Sequence, residues 1–265
     1  MTLRRGSGRI QCLEGSLEYL LHRSGNKNDA RSSTTLVLLH EGLGSVTMWR
    51  QFPQKLALAT GCDVLAYSRF GYGQSDPCDL PWQLDYMHRE GRQILPQVLA
   101  KIGSNRIVLI GHSDGASIAT IYAGDHPDPR LGALVLIAPH FFTESISLES
   151  IQAALEAYEQ GDLRARLERY HGTNTDNAFY GWNGAWLNPD FKKWDITEYL
   201  PRITVPVLLM QGKQDQYGTE AQINAATRNC AAQVETKMLD DCRHAPHLER
   251  EQTTIEAISQ FIDRL

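Results

Sequence analysis

The 265-residue sequence has no C-x-x-C pair, and its five cysteines (Cys12, Cys62, Cys78, Cys230, Cys242) are an odd number without paired spacing. That excludes a disulfide framework and points to reduced thiols in a cytoplasmic protein. No apolar run approaches the roughly 20 residues of a membrane span. The opening MTLRRGSGRIQC has three arginines but no apolar stretch behind them, so no signal peptide is expected. Basic charge is not in excess either. The net charge of −5 argues against nucleic acid as a partner, and no membrane partner is expected. Internal repeats and low-complexity tracts are absent. What remains is ordinary globular composition, 42% hydrophobic and 22% charged, in a chain long enough to bury a core without staples.

Short apolar runs punctuate the chain: TLVLLH (35–40), DVLAYS (63–68), RIVLIG (106–111), ALVLIA (133–138), PVLLMQG (206–212) and VETKML (234–239). Near-continuous Val, Leu and Ile over this length suits strands buried on both faces of a mostly parallel sheet. Helical patterns fall between them at 48–60, 83–101, 114–124, 219–230 and 250–265, with Pro53 early in the first and Pro96 a kink in the second. Strand–helix alternation predicts an α/β class. The polar segment 24–34 reads as a loop after an N-terminal hairpin. The alternation breaks at 140–200, where a helical run is followed by Phe179, Tyr180, Trp182, Trp186, Phe191 and Trp194. A connection this long is structured or functional. It reads as an inserted helical cap (140–200) on a core formed by 1–139 and 201–265, its aromatics forming a small core of their own.

The chemistry concentrates at strand ends. GHSDG (111–115) lies between an apolar strand and a helix, the setting of a nucleophile elbow. Small residues at 111 and 115 let strand and helix approach, and the helix N-terminus favours developing negative charge at Ser113. The competing role for Ser113 is a plain helix N-cap. A serine nucleophile needs a base, and the base an orienting acid. Asp215 follows the strand PVLLMQG, and His244 follows VETKML. The order Ser113, Asp215, His244 is one of the known triad orders. Asp240 and Asp241 are rival acids, but they would have to fold back on their neighbour. His247 is a rival base that would begin the last helix.

LLHEGLGS with Trp49, SRFGYGQSD, GHSDGAS, the insertion, QGKQDQYG and RHAPHLE together resemble the α/β-hydrolase family, in its serine hydrolase and esterase branch with a helical cap. The resemblance covers nearly the whole chain. It implies a mainly parallel sheet of about eight strands with helices on both faces. It favours His244 over His247, and it places the oxyanion-hole donors at the backbone N–H of Gly42 and of Asp114. Three departures stand out. Glu41 replaces a glycine beside the oxyanion hole, where a carboxylate opposes the forming charge unless it is paired; Arg69 is the first candidate partner. Ser68 stands where an aspartate is common, and Arg243 where a glycine usually precedes the histidine.

Other motifs fail. His40-Glu41 lacks the second histidine of a zinc-protease helix, the glycine-rich stretches lack a third glycine, and GKQD is no Walker lysine. Cys242, His244 and His247 have no further ligands to complete a metal site. Arg164, Arg166 and Arg169 read as a solvated face. The sequence therefore predicts a cofactor-free serine hydrolase of a small carboxylic ester or related acyl compound. Glu41, His140, Trp182 and Trp186 are pocket candidates, and the expected partner is a small-molecule substrate, with a homo-oligomer left open. The alternatives are a C–C bond hydrolase of a ring-cleavage diketone, a cofactor-free haloperoxidase-like activity, and a non-catalytic ligand-binding homologue.

Overall fold

The computed structural model describes residues 3–24, 33–126 and 128–265. Most of the expected polar loop at 24–34 lies outside them. The eight strands are β1 (Gly6–Gln11), β2 (Ser16–His22), β3 (Thr34–Leu39), β4 (Asp63–Tyr67), β5 (Arg106–His112), β6 (Leu131–Ile137), β7 (Val207–Gly212) and β8 (Val234–Leu239). They form one sheet in the order β1-β2-β4-β3-β5-β6-β7-β8. The first two are the antiparallel hairpin, β2 also runs antiparallel to β4, and the rest pair in parallel. Every residue of β3, β4 and β7 is buried, whereas β2 alternates between buried and half-buried. Strands covered by helices on both faces need apolar side chains at every position; a hairpin with one wet face needs them at alternate ones.

The period-two alternation divides the core. On one face Leu36, Leu38, Val64, Ile110, Val135 and Met210 pack with α1 (Phe52–Thr60) and α10 (Glu251–Ile262). On the other, Val37, Leu39, Leu109 and Leu136 pack with α4 (Asp114–Asp125). Pro53 sits in the first turn of α1, where its missing N–H costs nothing, and Gly61 closes the helix in the left-handed region at φ 68°.

The segment 83–101 is not one kinked helix. It is α2 (Tyr86–Arg89), a π-turn at Glu90–Ile94 and α3 (Leu95–Leu99). Pro96 lacks the N–H that an α-helix would bond to residue 92, and the wider turn absorbs the break.

Between β6 and β7 the chain runs through α5 (Ser145–Glu159), α6 (Leu163–His171), α7 (Thr175–Trp186) and three 3-10 turns, Gly172–Asn174, Pro189–Lys193 and Thr197–Arg202. Its aromatics do not form a separate core. Phe179, Trp182, Trp186, Phe191 and Trp194 join the same cluster as Leu39, Leu109 and Leu136, while Tyr180 is exposed. The remaining helices are α8 (Glu220–Asn229) and the short α9 (Pro246–Glu249). Among the described residues no helix is long and apolar enough to cross a membrane.

Candidate active site

Ser113 stands between β5 and α4 with φ 53° and ψ −119°. An L-residue there stores on the order of 1–3 kcal/mol of strain, which the surroundings hold in place. A Cβ at Gly111 would lie 2.3 Å from the Gly115 carbonyl oxygen, and one at Gly115 would lie 2.0 Å from the Leu39 carbonyl oxygen. Only glycines let strand, turn and helix meet this closely. Among the described residues the Ser113 hydroxyl makes no capping bond to α4, so the plain N-cap role does not describe it.

The other two residues arrive on the loops after β7 and β8, at the same carboxyl edge. His244 Nδ1 lies 2.8 Å from Asp215 Oδ1. An ionised carboxylate only accepts, so Nδ1 carries the proton and Nε2 keeps a free lone pair. Asp215 also accepts from the Tyr217 N–H at 2.9 Å and from Gln211 Nε2 at 3.2 Å. Burial alone would push its carboxyl up. His244, the Tyr217 N–H and His140 outweigh that and hold it at about 2. The Tyr217 ring packs on His244 with centroids 4.6 Å apart.

With Arg243 in place of glycine, the histidine loop is fixed by Glu249. That carboxylate accepts from the Arg243 N–H at 2.8 Å and the Ala245 N–H at 3.1 Å, one on each side of His244. Asp241 takes the positive φ (49°) of the turn. His247 is buried, its ring 4.6 Å from Trp49 and 4.7 Å from His112. It packs beneath the loop.

The loop after β3 carries Gly42. Its carbonyl accepts from the Tyr72 hydroxyl at 2.7 Å, and a Cβ there would lie 2.1 Å from Trp182 Nε1. Trp182 of α7 therefore lies directly on the expected oxyanion loop. Asp114 is buried, and its carboxylate accepts from the Tyr86 hydroxyl at 2.5 Å. Trp186 Nε1 donates to that same hydroxyl at 3.0 Å, so Trp186 links the insertion to the elbow. His140 is buried between Trp186 and His244, with ring centroids 5.4 and 5.7 Å away, and burial pushes its imidazole down to about 3. The insertion is fastened over this edge elsewhere too: His171 accepts from the Gly73 N–H at 3.0 Å and donates to the Leu43 carbonyl at 2.9 Å.

The expected pairing of Glu41 with Arg69 does not occur. Arg69 donates to the backbone carbonyls of His40 and Glu41 and lies 3.9 Å from the Asp114 carboxylate. The Glu41 carboxylate instead meets His112 Nδ1 at 3.3 Å. Arg69 extends from the β4 end toward the loop backbone, while His112 at the tip of β5 faces the carboxylate. Ser68, where an aspartate is common, accepts from the Val46 N–H at 2.9 Å and donates to Glu18 at 2.8 Å, a structural tie between loops.

A cavity of about 400 Å³ opens nearby, lined by Arg69, Trp82, Glu90 and, on the inner side, Tyr72 and Tyr86. Those two tyrosines are the ones that hold Gly42 and Asp114. Burial pushes the Glu90 carboxyl up to about 7.

A model of the alpha/beta hydrolase family matches residues 36–257. The chain belongs to the alpha/beta hydrolase family. It is similar to the proline iminopeptidase of Saccharolobus solfataricus, 27% identical over 276 residues that cover 88% of this chain and 86% of that one. Among solved structures it shares its fold with the proline iminopeptidase of Mycobacterium smegmatis (TM-score 0.71, 18% identity, 98% of each chain). An esterase from Exiguobacterium antarcticum is similar as well (TM-score 0.74, 18% identity, 97% of this chain and 99% of that one).

Several residues of the site were not singled out from the sequence: His112, Tyr72, Tyr86, Tyr217, Gln211 and Glu249. His112 alone had a visible signal, its place beside Ser113 within GHSDG. The others reach the site from loops whose folding no local pattern announces.

Proposed function

We propose that this chain is a serine hydrolase of small carboxylic esters or related acyl compounds, working through Ser113, His244 and Asp215. The observation that carries the proposal is the 2.8 Å contact between His244 Nδ1 and Asp215 Oδ1, on loops at the same sheet edge as the Ser113 elbow. His244 Nε2 takes the Ser113 proton as Oγ attacks the acyl carbonyl. The backbone N–H groups of Gly42 and Asp114 hold the tetrahedral oxyanion. The imidazolium, stabilised by Asp215, gives its proton to the leaving alkoxide, and the acyl-enzyme forms. Water then attacks the acyl carbonyl, His244 accepts the water proton, and as the tetrahedral intermediate collapses His244 gives that proton to Ser113 Oγ, releasing the acid. Residues 140–200 act as the cap, with Trp182 shaping the acyl side of the pocket. No cofactor takes part.

A second reading, peptidase action on a substrate with a free amino terminus, is favoured by the name of the Saccharolobus relative. Three carboxylates near the elbow and the base already have partners inside the protein: Glu41 with His112, Asp114 with Tyr86, and Asp215 with His244 and Tyr217. Glu90, which lines the neighbouring cavity, keeps its Oε2 buried without a hydrogen-bond partner among the described residues, so substrate preference has to be read from rates. Rates on p-nitrophenyl esters of increasing acyl length, a prolyl p-nitroanilide and a ring-cleavage diketone separate the three chemistries. The proposal expects ester turnover to dominate. Dominant turnover of the anilide or the diketone would replace it with the peptidase or the C–C hydrolase.

A further inference from the structure

Glu41 is a carboxylate placed beside the site of a developing negative charge, and its bonds show how this is tolerated. His112 uses both ring nitrogens. Nε2 lies 2.7 Å from the His244 carbonyl oxygen, and Nδ1 lies 3.3 Å from Glu41 Oε2. A carbonyl only accepts, so Nε2 carries a proton. An ionised carboxylate also only accepts, so the contact at Nδ1 requires a second proton. His112 is 2% exposed and Glu41 21%, which leaves little water to take either partner's place.

We infer that Glu41 and His112 are a positioning pair that holds one proton between them, anchors the His244 loop through the Nε2–H bond, and keeps the oxyanion region free of net charge. The inference rests on the serine-hydrolase reading above. Neither residue touches the reacting atoms. His112 holds the base through its own main chain, and Glu41 holds His112.

The groups facing the pair do not supply that proton. From α9, His247 is held neutral by burial, as are His140 after β6 and His40 beside Glu41. Asp215 is engaged with His244, and Asp114 with Tyr86 and Arg69. Burial disfavours the charged form of both partners, but their mutual bond outweighs it: His112 is raised above the ordinary histidine value and Glu41 falls well below the usual carboxylate range. As pH rises through the raised His112 value, the shared proton leaves and an uncompensated Glu41 faces the oxyanion. A unit charge several ångströms away at an effective dielectric of about 20 slows formation of that oxyanion by about tenfold or more.

The test is the rate of Ser113 phosphonylation by a fluorophosphonate between pH 5 and 10. The wild type is expected to show an alkaline fall of about tenfold, and Glu41→Gln is expected to lose that fall because no carboxylate remains to be uncovered. His112→Gln, which leaves Glu41 unpaired, is expected to react about tenfold more slowly than wild type at neutral pH. Adding Glu41→Gln to it is expected to restore the rate toward that of Glu41→Gln alone. A purely structural pair would make the double variant no faster than His112→Gln. In the unmodified protein, 15N spectra of the His112 ring at pH 7.5 should show both nitrogens protonated. Ser113 labelling with the same alkaline fall in wild type and Glu41→Gln overturns the inference alone, as does a neutral His112 ring facing ionised Glu41. No labelling of Ser113 at any pH overturns the serine-hydrolase reading and the inference with it.

Discussion

Replacing Asp215 by asparagine changes almost no volume and reverses one hydrogen-bonding polarity. The Asp215 carboxylate accepts from three donors: His244 Nδ1 and the Tyr217 N–H on Oδ1, and Gln211 Nε2 on Oδ2. An asparagine amide has one oxygen and one NH₂. With its oxygen toward His244 and Tyr217, its NH₂ faces the Gln211 donor. Gln211 can respond by flipping, since its Oε1 is buried without a partner among the described residues. The flip takes Nε2 away from the Gly218 carbonyl, its partner at 2.8 Å. With the asparagine reversed, NH₂ donates to His244 Nδ1, the ring proton moves to Nε2, and the base is lost. Both arrangements also remove the negative charge that stabilises the imidazolium. The kcat of Asp215→Asn on a p-nitrophenyl ester is therefore expected to fall by about 10³–10⁴-fold. A buried polar group left poorly satisfied adds about 1–3 kcal/mol of lost stability. Activity per folded molecule, normalised by circular dichroism, separates the two effects. A kcat within tenfold of wild type would refute the assignment of Asp215 as the orienting acid.

Further expectations follow from the same geometry. His244→Ala should cost kcat at least about a thousandfold. His247→Ala, which removes a ring packed on Trp49, should cost less than about tenfold in kcat and about 2–4 kcal/mol in a urea unfolding midpoint; the reverse pattern would exchange their roles. Gly115→Ala drives a Cβ into the Leu39 carbonyl and should destabilise by about 3 kcal/mol or more, read in the same unfolding assay. The Asp215 carboxyl at about 2 lies below its ordinary 3.8. A depressed carboxylate stabilises the fold above its unfolded value and loses that contribution as pH falls through the folded one. Roughly 2 kcal/mol should therefore disappear between about pH 4 and 2, and Asp215→Asn should lack this portion of the acid limb.

The strand ends were legible because a doubly covered sheet writes its strands as continuous apolar runs, and the residues just past such runs sit on one edge. That puts Ser113, Asp215 and His244 on loops at one edge, and the structure adds the 2.8 Å contact between His244 and Asp215. What local pattern could not supply was the pairing of side chains across elements. Glu41 and His112 are 71 residues apart. Only the register of β3 against β5, which sets Leu39 beside Gly111, brings their side chains face to face. Arg69 was a reasonable partner by charge, but its guanidinium is consumed by backbone carbonyls. The aromatics of the insertion carried a similar ambiguity. Their composition suggested a self-contained core, whereas Trp182 packs on Gly42 and Trp186 bonds Tyr86, contacts that exist only once the insertion folds over the sheet edge.

The central claim is that Ser113 is a nucleophile activated in this constellation. Intact-mass analysis after incubation with a fluorophosphonate, followed by peptide mapping, tests it most directly. The account predicts one phosphonyl adduct on wild type, mapped to Ser113, and none on Ser113→Ala. A wild type that stays unmodified while a control serine hydrolase reacts, or an adduct that persists in Ser113→Ala, would contradict it.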